Sequence, residues 1–191
     1  MTRLKLLGDR IAVVEVKEEV TGSILIPETA SKSFTLGRVI AVGDGGPAKI
    51  PIYVQPGDLV MFQLIGPQSL STKYLMNGTA TRILLQDDLI ARLKGSVINY
   101  ENFEIIGKWL LLQVSTQDTS MIVIPKSVKQ PENFLFHVAQ LGNGVTLDVK
   151  VGQEVFVERL RCNPIEISGV TYGYVTQADV HGHVETDAVV D

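Results

Sequence analysis

Leu7-Gly-Asp-Arg-Ile-Ala-Val-Val14 and Ile106-Gly-Lys-Trp-Leu-Leu-Leu-Gln113 are two versions of one segment. Each has an aliphatic residue, a glycine, two variable positions and then a short run of strand-forming length. Four further blocks recur in the same order. Ser23-Ile-Leu-Ile-Pro27 matches Met121-Ile-Val-Ile-Pro125, and Arg38-Val-Ile-Ala-Val-Gly-Asp-Gly45 matches His137-Val-Ala-Gln-Leu-Gly-Asn-Gly144. Pro56-Gly-Asp-Leu-Val-Met61 matches Val151-Gly-Gln-Glu-Val-Phe156, and Asn77 to Leu89 matches Ser168 to Val180. The spacing stays between 91 and 99 residues. One or two such matches arise by chance among β-rich segments; five in order imply a tandem duplication.

The blocks also set the fold class. Arg10–Val16, Gly37–Val42, Asp58–Gln63 and Gln153–Glu158 are short and rich in Val, Ile and Leu, and Gly, Pro, Asn and Asp punctuate the chain between them. No long segment keeps a helical period; Gln86–Lys94 is the one weak candidate, for one or two turns. The chain is therefore expected to be all-β, as two tandem small barrels. A first copy is expected at residues 1–94, a linker at 95–102 with Gly95, Ser96 and Asn99 as its flexible points, and a divergent second copy at 103–191.

Composition narrows the function. The chain has 191 residues, 45% hydrophobic and 20% charged, with a formal net charge of −4. An acidic chain without a basic patch is not expected to bind nucleic acid. No apolar run reaches the roughly 18–20 residues of a membrane span, and Met1-Thr-Arg3 leads straight into patterned sequence, so neither secretion nor membrane insertion is expected. A single cysteine, Cys162, excludes an intrachain disulfide framework and suits a reducing cytoplasm. The copies differ in charge: residues 1–98 hold 11 Lys/Arg against 9 Asp/Glu, and 99–191 hold 6 against 12, so +2 faces −6. Such divergence implies that the two copies meet different surroundings.

The ordered blocks resemble the GroES-type co-chaperonins, the ring-shaped lids of GroEL-type chaperonins. Leu4–Val14 resembles the family's first strand, and Gly22-Ser-Ile-Leu-Ile-Pro27 its mobile-loop tip, a glycine followed by an aliphatic tripeptide. Gly37–Gly43, Val54–Phe62 and Ile83–Ala91 continue in family order. The likeness covers nearly all of 3–94 and, more weakly, 104–184. It implies two GroES-like β-barrels and a nonenzymatic lid that assists ATP-dependent folding. ATP would be bound by the GroEL-type chaperonin partner, so no cofactor is expected here. The self-partner would be a homo-oligomeric ring, in a bacterial cytoplasm or in a host cytoplasm if the chain is phage-encoded. The second copy departs in two ways. Asp44–Pro56 stands where the family has its roof hairpin, but Asn143–Val151 is four residues shorter, and Ser120-Met121 replaces Gly22-Ser23.

The resemblance gives the chaperonin-binding candidates: Gly22, Ser23, Ile24, Leu25 and Ile26, with Ile122, Val123 and Ile124 as their second-copy counterparts. From pattern alone, such a triplet is either a buried strand end or an exposed anchor. As an anchor, each side chain buried in a partner groove gains roughly 1.5–3 kcal/mol. Ordering the loop costs roughly 2–5 kcal/mol. One loop then binds weakly and a ring of loops gains by multivalency.

Catalysis has few candidates. Asp179, His181 and His183 would share one face of a strand and could hold a metal; a solvated polar face is the plainer reading, and no metal site is assigned. His137 is expected to lead a strand and be exposed. Cys162 has no histidine near it in sequence and reads as a packing residue. Gly43-Asp-Gly-Gly46 lacks the strand–helix context of a phosphate loop and reads as a turn. No enzyme is expected. The alternative to a lid is a structural or assembly protein that kept the barrel without chaperonin binding. Assembly carries a puzzle of its own. Chaperonin partners of this family are sevenfold, yet a single-layer ring of whole two-barrel chains holds an even number of barrels. Seven chains with the copies in two tiers would resolve it, and that arrangement is expected; the alternatives are a single ring of six or eight barrels mismatched to its partner, or one omitted barrel.

Overall fold

A computed structural model describes residues 5–16, 34–63, 73–76, 78–94, 99–114, 133–158 and 161–184. The described residues form two antiparallel sheets. In the first, β1 (Arg10–Glu15), β2 (Thr35–Val42), β3 (Leu59–Phe62), β4 (Lys73–Met76), β5 (Thr79–Leu85), β6 (Leu89–Leu93) and β7 (Phe103–Ile105) are ordered β4-β5-β1-β2-β3-β6-β7. In the second, β8 (Trp109–Val114), β9 (Asn133–Leu141), β10 (Glu154–Glu158), β11 (Asn163–Ile167), β12 (Val170–Thr176) and β13 (Val180–His183) are ordered β11-β12-β8-β9-β10-β13. The second order repeats the first, strand for strand, except for β7.

The irregularities repeat too. The β1–β2 ladder shifts register between Ala12 and Val13, and the β8–β9 ladder at the matching Leu111 and Leu112. The β3–β6 ladder shifts at Met61/Phe62, and β10–β13 at Phe156/Val157. Gly8 and Gly107 both adopt positive φ, at 67° and 61°. The backbone N–H of each donates to the side chain thirty-six residues on, Asp44 Oδ1 and Asn143 Oδ1, both at 3.0 Å. Bulges re-aim a strand and are specified locally, so their recurrence carries the duplication into three dimensions.

Each copy fills its own core with alternate residues of its strands. Ile11, Val13, Val39, Val54, Val60, Phe62, Leu84 and Leu89 form the first. Leu110, Leu112, Phe136, Val138, Val149, Val155, Val157 and Val175 form the second. The opposite faces of the same strands meet in a third cluster that belongs to both copies. Leu59, Met61, Ile90 and Leu93 of the first pack there with Phe103, Ile105, Trp109, Leu111, Ile165 and Tyr174 of the second. A strand buried on both faces loses the polar–apolar alternation. That is why Leu59-Val-Met-Phe62 and Trp109-Leu-Leu-Leu112 read as continuous apolar runs.

Three expectations change. The helical candidate Gln86–Lys94 is a short 3-10 turn, Gln86–Asp88, followed directly by β6. Asp44–Pro56 forms turns and irregular chain with no paired strands. Ile52, Tyr53 and Val54 lie on the first core, and the segment is tied down by Gln86, whose Oε1 accepts from Tyr53 N–H at 2.9 Å. Finally, the described end of the expected linker, Asn99–Asn102, is a tight turn. Phe103 N–H donates to Asn99 O at 3.0 Å, and the Tyr100 hydroxyl donates to Ala139 O at 3.0 Å. The Tyr100 ring stacks on Tyr172 at 5.6 Å.

Candidate functional site

Gly22, Ser23, Ile24, Leu25, Ile26, Ile122, Val123 and Ile124 all lie outside the described residues. The strands that flank them are described. In the first copy β1 runs out at Glu15, opposite Gly37, and Val16 N–H donates to Leu36 O at 3.0 Å. Residues 17–33 therefore join the ends of one antiparallel pair. In the second copy Val114 stands opposite Phe136, and residues 115–132 join the matching ends of β8 and β9. Both aliphatic triplets belong to the same connection of the repeated unit.

The roots of the two connections differ. Gly37 admits no side chain: a Cβ there would lie 2.9 Å from Phe62 Cε1 and 3.2 Å from Val14 O. Its counterpart is Phe136, which is buried in the second core. Glu15 pairs with Arg82 across the β1–β5 ladder. Position 82 becomes Gly173 in the second copy, where a Cβ would lie 2.0 Å from Cys162 Sγ. Cys162 fills the space of the missing side chain, and burial pushes its thiol pKa up to about 11. A half-buried thiol held protonated packs as an apolar group and is a poor nucleophile.

The remaining chemical candidates separate. Asp179 is not in the strand with His181 and His183; it closes the preceding 3-10 turn and accepts from Thr176 Oγ1 at 2.6 Å. Among the described residues no group of three or more His, Cys, Asp or Glu could hold a metal ion. His137 sits in the middle of β9 rather than at its start, with Nε2 3.5 Å from Glu154 Oε1. Asp44 of the glycine cluster accepts from Gly46 N–H at 2.9 Å as well as from Gly8 N–H. Those two backbone donors hold its carboxyl below the ordinary value. No helix among the described residues is long and apolar enough to cross a membrane.

Comparison with known proteins accounts for this architecture. The family described as "Chaperonin 10 Kd subunit" matches residues 3–93. A co-chaperonin GroES of Thermus thermophilus is 36% identical over 99 residues, 94% of its own length and 49% of this chain. This chain belongs to the chaperonin 10 kDa subunit family. The co-chaperonin GroES of Hydrogenovibrio crunogenus is 38% identical over 94 residues, and that of Methylacidiphilum infernorum 34% over 99, again covering about half of this chain. The chain thus carries one full-length co-chaperonin domain, and its second half repeats that domain's strands, bulges and turns. Its fold is two tandem GroES-like β-barrels. Sequence reasoning missed the joint between them, because the expected linker was read as a flexible spacer; the signals were the alternation-free runs Leu59–Phe62 and Trp109–Leu112.

Proposed function

We propose that this protein is a co-chaperonin: a ring-forming, nonenzymatic lid that binds a GroEL-type chaperonin in the cytoplasm and assists ATP-dependent folding. One observation carries the reading. The half of the chain that matches the family, residues 3–93, keeps Gly22-Ser-Ile-Leu-Ile26 in the connection between β1 and β2. An aliphatic triplet on a tethered segment gains its binding energy from burial in a partner's groove and loses part of it to ordering. Nucleotide is bound and hydrolysed by the partner, and this chain needs no cofactor. Ile122-Val-Ile124, without the preceding glycine, is a secondary anchor.

The second reading is a scaffold that keeps the barrel and has given up chaperonin binding. The acidity of residues 99–191 and the replacement of Gly37 by Phe136 at the second loop root favour it for that half. Pull-down with a GroEL-type chaperonin, with and without ATP, separates the two. Nucleotide-dependent capture that Leu25→Asp abolishes, with the fold and self-association unchanged, supports the lid; no capture in any nucleotide state leaves the scaffold.

A further inference from the structure

One ion pair sits where the barrel does not require one. Glu15, the last residue of β1, pairs with Arg82 of β5, and their side chains are only 27% and 15% exposed. Withdrawing two charges from water costs free energy that their attraction barely offsets, and a well-packed apolar filling is often as stable or more so. The second copy shows that filling. There the counterpart of Arg82 is Gly173, and Cys162, at the margin of the second core, occupies the space beside it. The repeated barrel closes at the same place without an ion pair, so stability does not account for Glu15 and Arg82.

Their position does. The β1–β5 ladder ends at Val14, opposite Thr81, so Glu15 lies one residue past its last pair. On its other side Glu15 faces Gly37, and the next residue, Val16, donates its N–H to Leu36 O at 3.0 Å immediately before residues 17–33 begin. Arg82 Nε donates to Glu15 Oε1 and so ties the end of β1 to β5 beyond the ladder. We propose that Glu15 and Arg82 are positioning residues for chaperonin binding: they fix the point from which the connection carrying Gly22–Ile26 starts. The inference rests on the lid reading and deepens it. It gives the first copy's anchor the firmer base and leaves Ile122-Val-Ile124, with Gly173 in place of Arg82, the looser one.

The physical gain is in what binding has to order. A tethered segment loses conformational freedom when a partner captures it, and fixing its base beforehand reduces that loss. A charge-assisted hydrogen bond holds one geometry, whereas apolar groups slide past one another at little cost. Gly37 sharpens the same base from the β2 side, since the Phe62 ring lies close enough to exclude a Cβ there. The second copy exchanges both residues, with Phe136 for Gly37 and Val157 for Phe62. The two bases are thus built differently on one strand plan, and only the first combines the ion pair with the glycine. Where several loops act together, a small gain at each base is multiplied.

The test replaces both partners in the whole chain, Glu15→Leu with Arg82→Met, and reads the urea midpoint, amide exchange at Val16, and capture by a GroEL-type chaperonin with ATP. The midpoint should equal or exceed that of the wild type. Exchange at Val16 should be about tenfold faster, with Val39 unchanged. Half capture should need about tenfold more chaperonin. The reversed pair, Glu15→Arg with Arg82→Glu, should recover both Val16 exchange and capture, which a role in packing alone would not. Wild-type capture by the apolar variant, unchanged exchange at Val16, or a folded reversed pair without recovered capture would overturn the inference and leave the lid reading standing. A wild type that no nucleotide state allows the chaperonin to capture removes the lid reading and this inference with it. If the apolar variant does not fold, Arg82→Met alone decides by the same readings.

Discussion

Ile106 and Leu7 occupy the same position of the repeat and have opposite fates: the first is buried in the core of the preceding copy, the second stands in solvent. The cause lies in the chain before Ile106. The turn at Asn99–Asn102 lets Lys94 N–H donate to Asn102 O at 2.8 Å, and β7 then runs back along β6. Gln140 seals the joint from the second copy, with Oε1 accepting from Ile105 N–H at 3.1 Å and Nε2 donating to Phe103 O at 3.0 Å. Lys108 Nζ reaches Asp87 Oδ2 at 2.9 Å on the other flank. The two copies thus unfold as coupled units rather than as beads on a string.

Ile106→Ala should accordingly cost about 2–5 kcal/mol, the range for removing a buried aliphatic side chain and leaving a cavity. Leu7→Ala in the dissociated chain should stay within about 0.5 kcal/mol, as for exposed positions. Urea unfolding of both variants at a concentration below self-association measures the difference. Equal effects would mean that the first core does not depend on Ile106.

Glu104 gives the joint a pH dependence with a defined sign. Burial raises its pKa, but hydrogen bonds and charge from Arg92 and Lys94 outweigh that and leave it below the ordinary 4.5. Its carboxylate lies 2.7 Å from Arg92 Nη2 and 3.0 Å from Lys94 Nζ. A folded pKa below the unfolded one stabilises fully above the unfolded value and loses that contribution as pH falls through the folded value. The side chain is more than a third exposed, so the contribution is at most about 1 kcal/mol. Glu104→Gln should be less stable than wild type at pH 7, and the gap should close as pH falls below 4.5. A constant gap from pH 7 to pH 3 would assign the loss to packing instead.

Much of this was legible in the sequence because a duplication makes a chain its own reference. The matched blocks marked β1, β2, β3, β8, β9 and β10 as strands. What stayed hidden depends on contacts between copies. Phe103-Glu-Ile105 is too short to announce a strand, and its alternation is informative only once β6 lies beside it. Asp179-Val-His-Gly-His183 has strand spacing throughout, yet Thr176 captures the Asp179 carboxylate and turns it out of register. Asp44–Pro56 stands in the place of the family's roof hairpin, but the hold of Gln86, distant in sequence, on its Pro51 and Tyr53 has no local signal. The eight anchor residues were reached through the family resemblance alone, since an aliphatic triplet has no chemistry that separates a strand end from an anchor.

Cys162 offers a clean probe of second-copy integrity. With a thiol pKa near 11 in the folded chain against the ordinary 9.0, the thiolate fraction at pH 8 falls on the order of a hundredfold. Folded protein at pH 8 should react with a maleimide at least that much more slowly than urea-unfolded protein. Gly173→Ala, which forces a Cβ against the sulfur, should speed the folded reaction by displacing Cys162. Fast labelling of the wild type would place the thiol in solvent and undo the packing role.

The paired glutamines test how far the copies have diverged. Gln86 is 4% exposed, with Oε1 accepting from Tyr53 N–H and Nε2 donating to Pro51 O at 2.6 Å. Its counterpart Gln177 accepts from Thr146 N–H at 2.8 Å in an exposed setting. Removing the first leaves a half-buried backbone donor and acceptor without partners, at a cost of about 1–3 kcal/mol, whereas water can replace the second. Gln86→Ala should therefore lower stability by that amount and speed amide exchange at Tyr53. Gln177→Ala should change stability by less than about 1 kcal/mol, with Thr146 exchanging at a rate close to that in the wild type. Equal losses from both substitutions would mean that the shorter Asn143–Val151 segment is held to its barrel as firmly as Asp44–Pro56 is to the first.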